Sequence, residues 1–135
     1  MTTSEQVRQV RQVQVTFDCA DPVLVARFWC EALGYAPTLP ADDDGAWAVA
    51  EDPTGAGPRL YFQRVPEGKV VKNRVHLDVR AGTGLVGDER VAVLEAEGAR
   101  LVALGATRLY IQLADDENES CLTMQDVEGN EFCLD

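Results

Sequence analysis

His76 is the only histidine of the chain, and it stands two residues after Arg74 and two before Asp78. From Arg74 to Val79 the apolar residues Val75, Leu77 and Val79 alternate with Arg74, His76 and Asp78. That period of two reads as a strand with its three polar side chains on one face. Such a face supports proton transfer. An imidazole titrates near neutrality, a carboxylate fixes its tautomer, and a guanidinium holds an anionic or carbonyl oxygen. The catalytic candidates are therefore His76 and Asp78, with Arg74 as the anchor. Cys133 is the one thiol placed to act as a nucleophile, but a strand position with no assured histidine contact suits an inert buried thiol equally well.

The same pattern recurs at the start of the chain and in two further strands. Val13, Val15 and Phe17 alternate with Gln14, Thr16 and Asp18. Leu60 and Phe62 alternate with Arg59, Tyr61 and Gln63, and Phe132 and Leu134 with Glu131 and Cys133. With all polar faces turned inward, a cavity would be lined by Gln14, Thr16, Asp18, Tyr61, Gln63, Arg74, His76, Asp78, Glu131 and Cys133. Buried charges are costly unless paired. Asp18, Asp78 and Arg74 therefore either form an ion network that closes the structure or meet solvent and ligand, and both readings stay open.

The elements that must position these residues follow from punctuation and periodicity. Asp21-Pro22 starts a helix, with Asp21 as N-cap and Pro22 where no donor is needed. Leu24, Val25, Phe28, Trp29, Ala32 and Leu33 give it an apolar stripe, and Gly34 stops it. Pro37 to Gly45 reads as a loop, with Asp42-Asp43-Asp44 as a solvated turn, and Ala46 to Ala50 as a short strand. Val65 to Lys69 reads as a linker. Asp88 is placed to cap a second helix with Val91, Leu94, Gly98, Leu101 and Val102 on one side. That helix ends either at Gly98 or, as the favoured reading, near Leu104 before Gly105. Arg108 to Leu113 and Cys121 to Gln125 are strands, and Gly129-Asn130 is a tight turn in which both residues tolerate positive φ. Strand, helix and about three strands thus occur twice, which argues for an α+β fold with helices on one face and for internal duplication.

Composition narrows the function. At 135 residues the chain fits one domain. A formal net charge of −11 disfavours nucleic acid and anionic membrane as partners, because both need clustered Lys and Arg. Cys19, Cys30, Cys121 and Cys133 form no Cys-x-x-Cys pair, so reduced thiols in a cytoplasmic protein are expected. The polar start, Met1 to Gln12, lacks the apolar core of a signal peptide.

The chain resembles the vicinal oxygen chelate superfamily, in particular its branch of small bacterial glyoxalase-like proteins. The resemblance lies in Phe17-Asp18-Cys19-Ala20-Asp21-Pro22 with Ala26-Arg27-Phe28-Trp29, in Gly57 to Glu67, and in Lys72-Asn73-Arg74-Val75-His76-Leu77-Asp78-Val79. Leu104-Gly105-Ala106-Thr107 and Asp126 to Cys133 extend it to nearly the whole chain after residue 12. It implies two βαβββ modules, about 13–66 and 73–135, whose curved mixed sheets enclose a ligand cavity with helices outside, behind a frayed segment 1–12. It also implies a homodimer. Metal enzymes of the family place His, Glu or Gln on the first and last strand of each module, positions that hold Gln14, Tyr61, Arg74 and Cys133 in the register read here. An arginine repels a cation and one histidine cannot supply two imidazoles, so no metal and no cofactor are expected. What remains is a metal-independent lyase, isomerase or hydratase of a small polar metabolite, or a ligand-sequestering protein of the bleomycin-resistance type.

Overall fold

The computed structural model describes residues 8–41 and 44–135. Most of the N-terminal segment expected to fray and two residues of the acidic turn, Asp42 and Asp43, lie outside them. The first half runs β1 (Gln14–Cys19), α1 (Pro22–Leu33), β2 (Ala36–Thr38), β3 (Trp47–Glu51) and β4 (Arg59–Arg64). The second runs β5 (Asp78–Val79), α2 (Gly87–Ala103), β6 (Thr107–Gln112), β7 (Cys121–Gln125) and β8 (Glu131–Leu134). Each half is thus a βαβββ module. The sheets have the same order, β1-β4-β3-β2 and β5-β8-β7-β6, with the first strand parallel to the last and the other pairs antiparallel.

Alternation places the apolar side of each sheet against helix and core. Leu60 and Phe62 are fully buried in β4 and Phe132 and Leu134 in β8, while Gln14, Thr16 and Asp18 of β1 are exposed. Val13 precedes β1 and is 70% exposed, so it does not join the apolar layer as expected. A chain of rings carries the core across both modules. Phe17 and Phe62 have centroids 5.0 Å apart, Phe17 and Trp29 5.5 Å, and Trp29 and Phe132 5.0 Å.

Helix α1 begins as read: Asp21 Oδ1 accepts from the Leu24 amide at 3.2 Å, Pro22 opens the helix, and Gly34 ends it at φ 73°. Helix α2 takes the longer of its two readings. Gly98 stays helical because the helix lies close on β7. A Cβ at Gly98 would stand 2.6 Å from Leu122 Cδ2. Asp88 is not the cap. The helix starts at Gly87 after Val86, which offers no side-chain bond, and Asp88 and Glu89 sit in the first turn, where negative charge complements the helix dipole.

Three further readings change. Ala36–Thr38 is a short edge strand on β3 rather than loop; Pro37 is tolerated there because an edge strand needs no inner donor. In the β7–β8 turn only Gly129 has positive φ, 86°, and Asn130 does not. Arg74 to Leu77 is not strand, for a specific reason. The Asn73 side chain sits where the ladder would run, its Oδ1 accepting from the Glu131 amide at 2.7 Å and its Nδ2 donating to Val75 O at 2.7 Å and Glu131 O at 3.1 Å. The side-chain amide stands in for a peptide group, and backbone pairing resumes where Cys133 N donates to Leu77 O at 3.0 Å.

Candidate functional site

The polar face of the second sheet carries the residues with chemistry. Asp78 lies opposite Cys133 in the β5–β8 register, and Thr123 lies opposite Cys133 on β7. His76 Nε2 is 3.1 Å from Asp78 Oδ1, and the two side chains are 41% and 45% exposed, so a solute can reach them. Thr123 Oγ1 is 3.6 Å from Cys133 Sγ. The donor atoms of His76, Asp78 and Cys133 lie within 4.8 Å of one another. These residues border an open cavity of about 520 Å³ that also takes in Tyr110, Gln112 and Cys121. Burial, and then the neighbouring Cys133, push the Cys121 thiol up from its ordinary value.

Glu131 borders the same cavity but is held from the protein side. Lys69 Nζ approaches Oε1 at 2.9 Å and Gln125 Nε2 donates to Oε2 at 3.0 Å. Burial opposes its ionisation, yet the hydrogen bonds from Gln125, Lys69 and the Asn73 amide outweigh burial and hold the carboxyl at about 2. Glu131 is therefore a permanent anion that fastens the linker to β8.

The ten candidates do not meet in one cavity. The sheets join through aromatic rings, and the polar side chains of the first sheet find partners within it. Gln63 Nε2 donates to Asp18 Oδ1 at 2.9 Å, Arg59 Nη1 donates to Gln14 Oε1, and Tyr61 stacks on Trp47 with centroids 6.5 Å apart. Gln14 borders a separate hollow beside Asp52 and Arg59. Thr16, Asp18 and Arg74 border a cavity of about 640 Å³ beneath the linker, whose apolar wall includes Phe17, Trp29, Val70 and Phe132. Arg74 is exposed at a bend and takes no part in an ion pair among the described residues. The ion network of Asp18, Asp78 and Arg74 is not formed. Arg74 also does not stand beside Cys133; His76 and Asp78 do.

That register bears on metal chemistry. Three donors of mixed nitrogen, oxygen and sulfur character within 4.8 Å of one another suit a divalent ion with an open position. The objection drawn from a neighbouring arginine does not hold, because Arg74 lies elsewhere.

Sequence reasoning missed Arg90 and Ser120, which border the same cavity and are 8% and 2% exposed. The signal for Arg90 was its place on the apolar stripe of α2, since Arg90, Leu94, Gly98 and Leu101 are that helix's buried residues. Ser120 carried no such signal.

Two mixed four-stranded sheets built from repeated βαβββ units, with a polar face on the second, define the glyoxalase-like class of fold. The chain belongs to the glyoxalase-like domain family, whose model matches residues 14–134. Among solved structures it is similar to the fosfomycin resistance protein FosX from Listeria monocytogenes, with TM-score 0.66, 11% identity and coverage of 94% of this chain and 93% of that one. It is also similar to a glyoxalase-related enzyme from Fulvimarina pelagi, with TM-score 0.62, 18% identity and coverage of 93% and 87%. TioX from Micromonospora sp. ML1 aligns at TM-score 0.56 and 18% identity, over 93% and 97%. At these identities the likeness is one of fold. No curated protein sequence matches the chain. Among the described residues no helix is long and apolar enough to cross a membrane.

Proposed function

We propose that this protein binds a small polar metabolite on the second-sheet face and moves a proton on it, as a lyase, isomerase or hydratase does. The supporting observation is the 3.1 Å contact of His76 Nε2 with Asp78 Oδ1 at the wall of a solvent-reachable cavity. In this reading the imidazole carries its proton on Nε2, beside Asp78, and Nδ1 keeps its lone pair as the base. Nδ1 takes a proton from a ligand carbon or oxygen, Asp78 stabilises the imidazolium, and the proton returns either to a neighbouring ligand atom or to a departing hydroxyl. The reading includes a cytoplasmic homodimer. The family's metal enzymes raise the question of an ion. His76, Asp78 and Cys133 would hold one, and it would supply Lewis-acid polarisation of a ligand oxygen.

A second reading, ligand sequestration, is supported by the cavity of about 640 Å³ walled by Phe17, Trp29 and Phe132. One experiment separates the two. Small carbonyl and hydroxy compounds are incubated with the protein in deuterated water and solvent label in the compound is followed. Proton transfer predicts incorporation that His76→Gln abolishes. Incorporation unchanged in His76→Gln overturns the proposal, and binding without incorporation that is lost on Trp29→Leu supports sequestration.

A further inference from the structure

Arg90 is buried without a carboxylate. Its Nε donates to Ser120 O at 3.0 Å and its Nη1 to Gly82 O at 2.9 Å. Among the described residues no acid lies within ion-pair distance of it, and Nη2 makes no hydrogen bond. Of the acids around this cavity, Glu131 faces Lys69, Asp135 Oδ2 faces Arg80 Nη1 at 2.8 Å and Asp78 lies beside His76, while Lys72 Nζ donates to the Asn73 carbonyl. Glu119 is exposed at the rim. A guanidinium held only by carbonyl oxygens, in a residue 8% exposed, keeps a charge that no acid compensates.

Two buried side-chain atoms among the described residues have no hydrogen-bond partner, Ser120 Oγ and Asp135 Oδ1, and both residues border this same cavity. They are tied to Arg90 through the backbone. Ser120 supplies the carbonyl that Arg90 Nε bonds, and Gly82, whose carbonyl takes Arg90 Nη1, gives its own amide to Asp135 O at 2.7 Å. The glycine is what lets the guanidinium lie so close, since a Cβ at Gly82 would stand 3.2 Å from Arg90 Cγ and Nη1. A guanidinium without an acid, an unpartnered hydroxyl and an unpartnered carboxylate oxygen thus belong to residues that border one cavity and share these backbone bonds. Buried polar atoms are normally satisfied, and the groups that would satisfy these three are an anionic acceptor beside a donor.

We infer that the Arg90 side of this cavity is a subsite for a small hydroxy carboxylate, its carboxylate on Arg90 and Ser120 and its hydroxyl donating to Asp135 Oδ1. In this subsite Ser120 presents Oγ to the ligand by rotation about its χ1 bond. Asp78, Glu131 and Asp135 nearby disfavour a dianion, which sets carboxylate above phosphate. The placement fits the proton-transfer reading on which it rests. Cys133, opposite Asp78, and Asp135 are two residues apart along one strand line, about 7 Å, so an acid anchored at Arg90 extends toward the His76–Asp78 pair.

The test uses the full chain and three probes at constant ionic strength: lactate, propionate without the hydroxyl, and lactamide without the charge. The side-chain Nε–Hε signal of Arg90 and the Ser120 amide are followed by NMR, and affinity by calorimetry. Lactate is expected to shift both signals saturably, with propionate several-fold weaker and lactamide about tenfold weaker or more, the scale of one lost charge-assisted bond. Arg90→Gln should abolish binding. Should that variant not fold, Ser120→Ala, which leaves both arginine bonds in place, should weaken lactate several-fold. No shift at Arg90 with lactate, or an equal shift with chloride, overturns the subsite. So does full lactate affinity in folded Arg90→Gln. Lactate binding at Arg90 combined with deuterium incorporation indifferent to His76→Gln overturns the proton-transfer reading and leaves the subsite standing.

Discussion

Trp29 Nε1 donates to Asp126 Oδ2 at 3.0 Å, and both residues are almost wholly buried, 1% and 2% exposed. This bond joins the helix of the first module to the hairpin turn of the second. Asp126 Oδ1 meanwhile accepts from the amides of Glu128 and Asn130, at 2.9 and 3.0 Å, so the same carboxylate both shapes the turn and anchors the indole.

Trp29→Phe keeps a ring but leaves Asp126 one donor short, and should cost about 1–3 kcal/mol. Asp126→Ala also strands the indole N–H and two turn amides, and should cost more, about 3–5 kcal/mol. Urea denaturation of the two variants measures both, and equal losses would show that the indole bond alone matters.

Glu131 gives the fold a defined sensitivity to acid. Its carboxyl is held at about 2 in the folded protein, below the ordinary value of 4.5. Its stabilising contribution is therefore complete above the unfolded value and is lost as pH falls from there towards 2. Glu131→Gln should flatten that part of the stability curve, as read by denaturant midpoints between about pH 5 and pH 2.

Substitution of Gly98 by Ala should destabilise the protein although alanine favours helix by about 1 kcal/mol. The added methyl would meet Leu122, itself fully buried, and a net loss of about 1–2 kcal/mol is expected from overpacking. Thermal unfolding checks this, and a raised midpoint would mean that Leu122 has room to turn.

Thiol labelling should follow burial. Burial first, and then the neighbouring acids Glu128 and Asp126, push the Cys19 thiol up to about 12. Iodoacetamide near pH 8 should therefore leave Cys19 unmodified in folded protein while Cys133, partly exposed, reacts. Peptide mass mapping reads the order, and early labelling of Cys19 would contradict the fold around α1.

Much of the architecture was legible because local signals and tertiary packing agree. Asp21-Pro22 and Gly34 bound α1 as their chemistry demands, and alternation in β1, β4 and β8 marks the buried faces. The site was legible only in part. His76 and Asp78 stand together as expected, but Arg74 was misplaced, because no periodicity reveals that Asn73 interposes its amide and swings the next residues out of the ladder. Gln14, Tyr61 and Gln63 were grouped with the second sheet on the assumption that both polar faces share one space, whereas the aromatic rings from Phe17 to Phe132 occupy the junction. Arg90 was visible as a charge on an apolar stripe. Its acceptors, Gly82 O and Ser120 O, come from loops whose convergence depends on the whole fold.

The β7–β8 turn also caps the start of α1 from a distance. Glu128 accepts from Ala20 N at 2.8 Å and from Asp21 N at 2.6 Å. Among the described residues the corresponding turn in the first half makes no such bond to α2: the Asp52 carboxylate accepts from the amide and hydroxyl of Thr54 and the amide of Gly57. The two halves share a plan but not a role. One has become custodian of the other's helix, and the debt runs in a single direction. A chain assembled from two copies of the second half would keep every strand in order yet lack the Asp21 backbone and Trp29 indole that its turns are built to hold, and two copies of the first would leave that helix start without its carboxylate. The two halves repeat one element order, and the Glu128 bridge marks where they are not interchangeable.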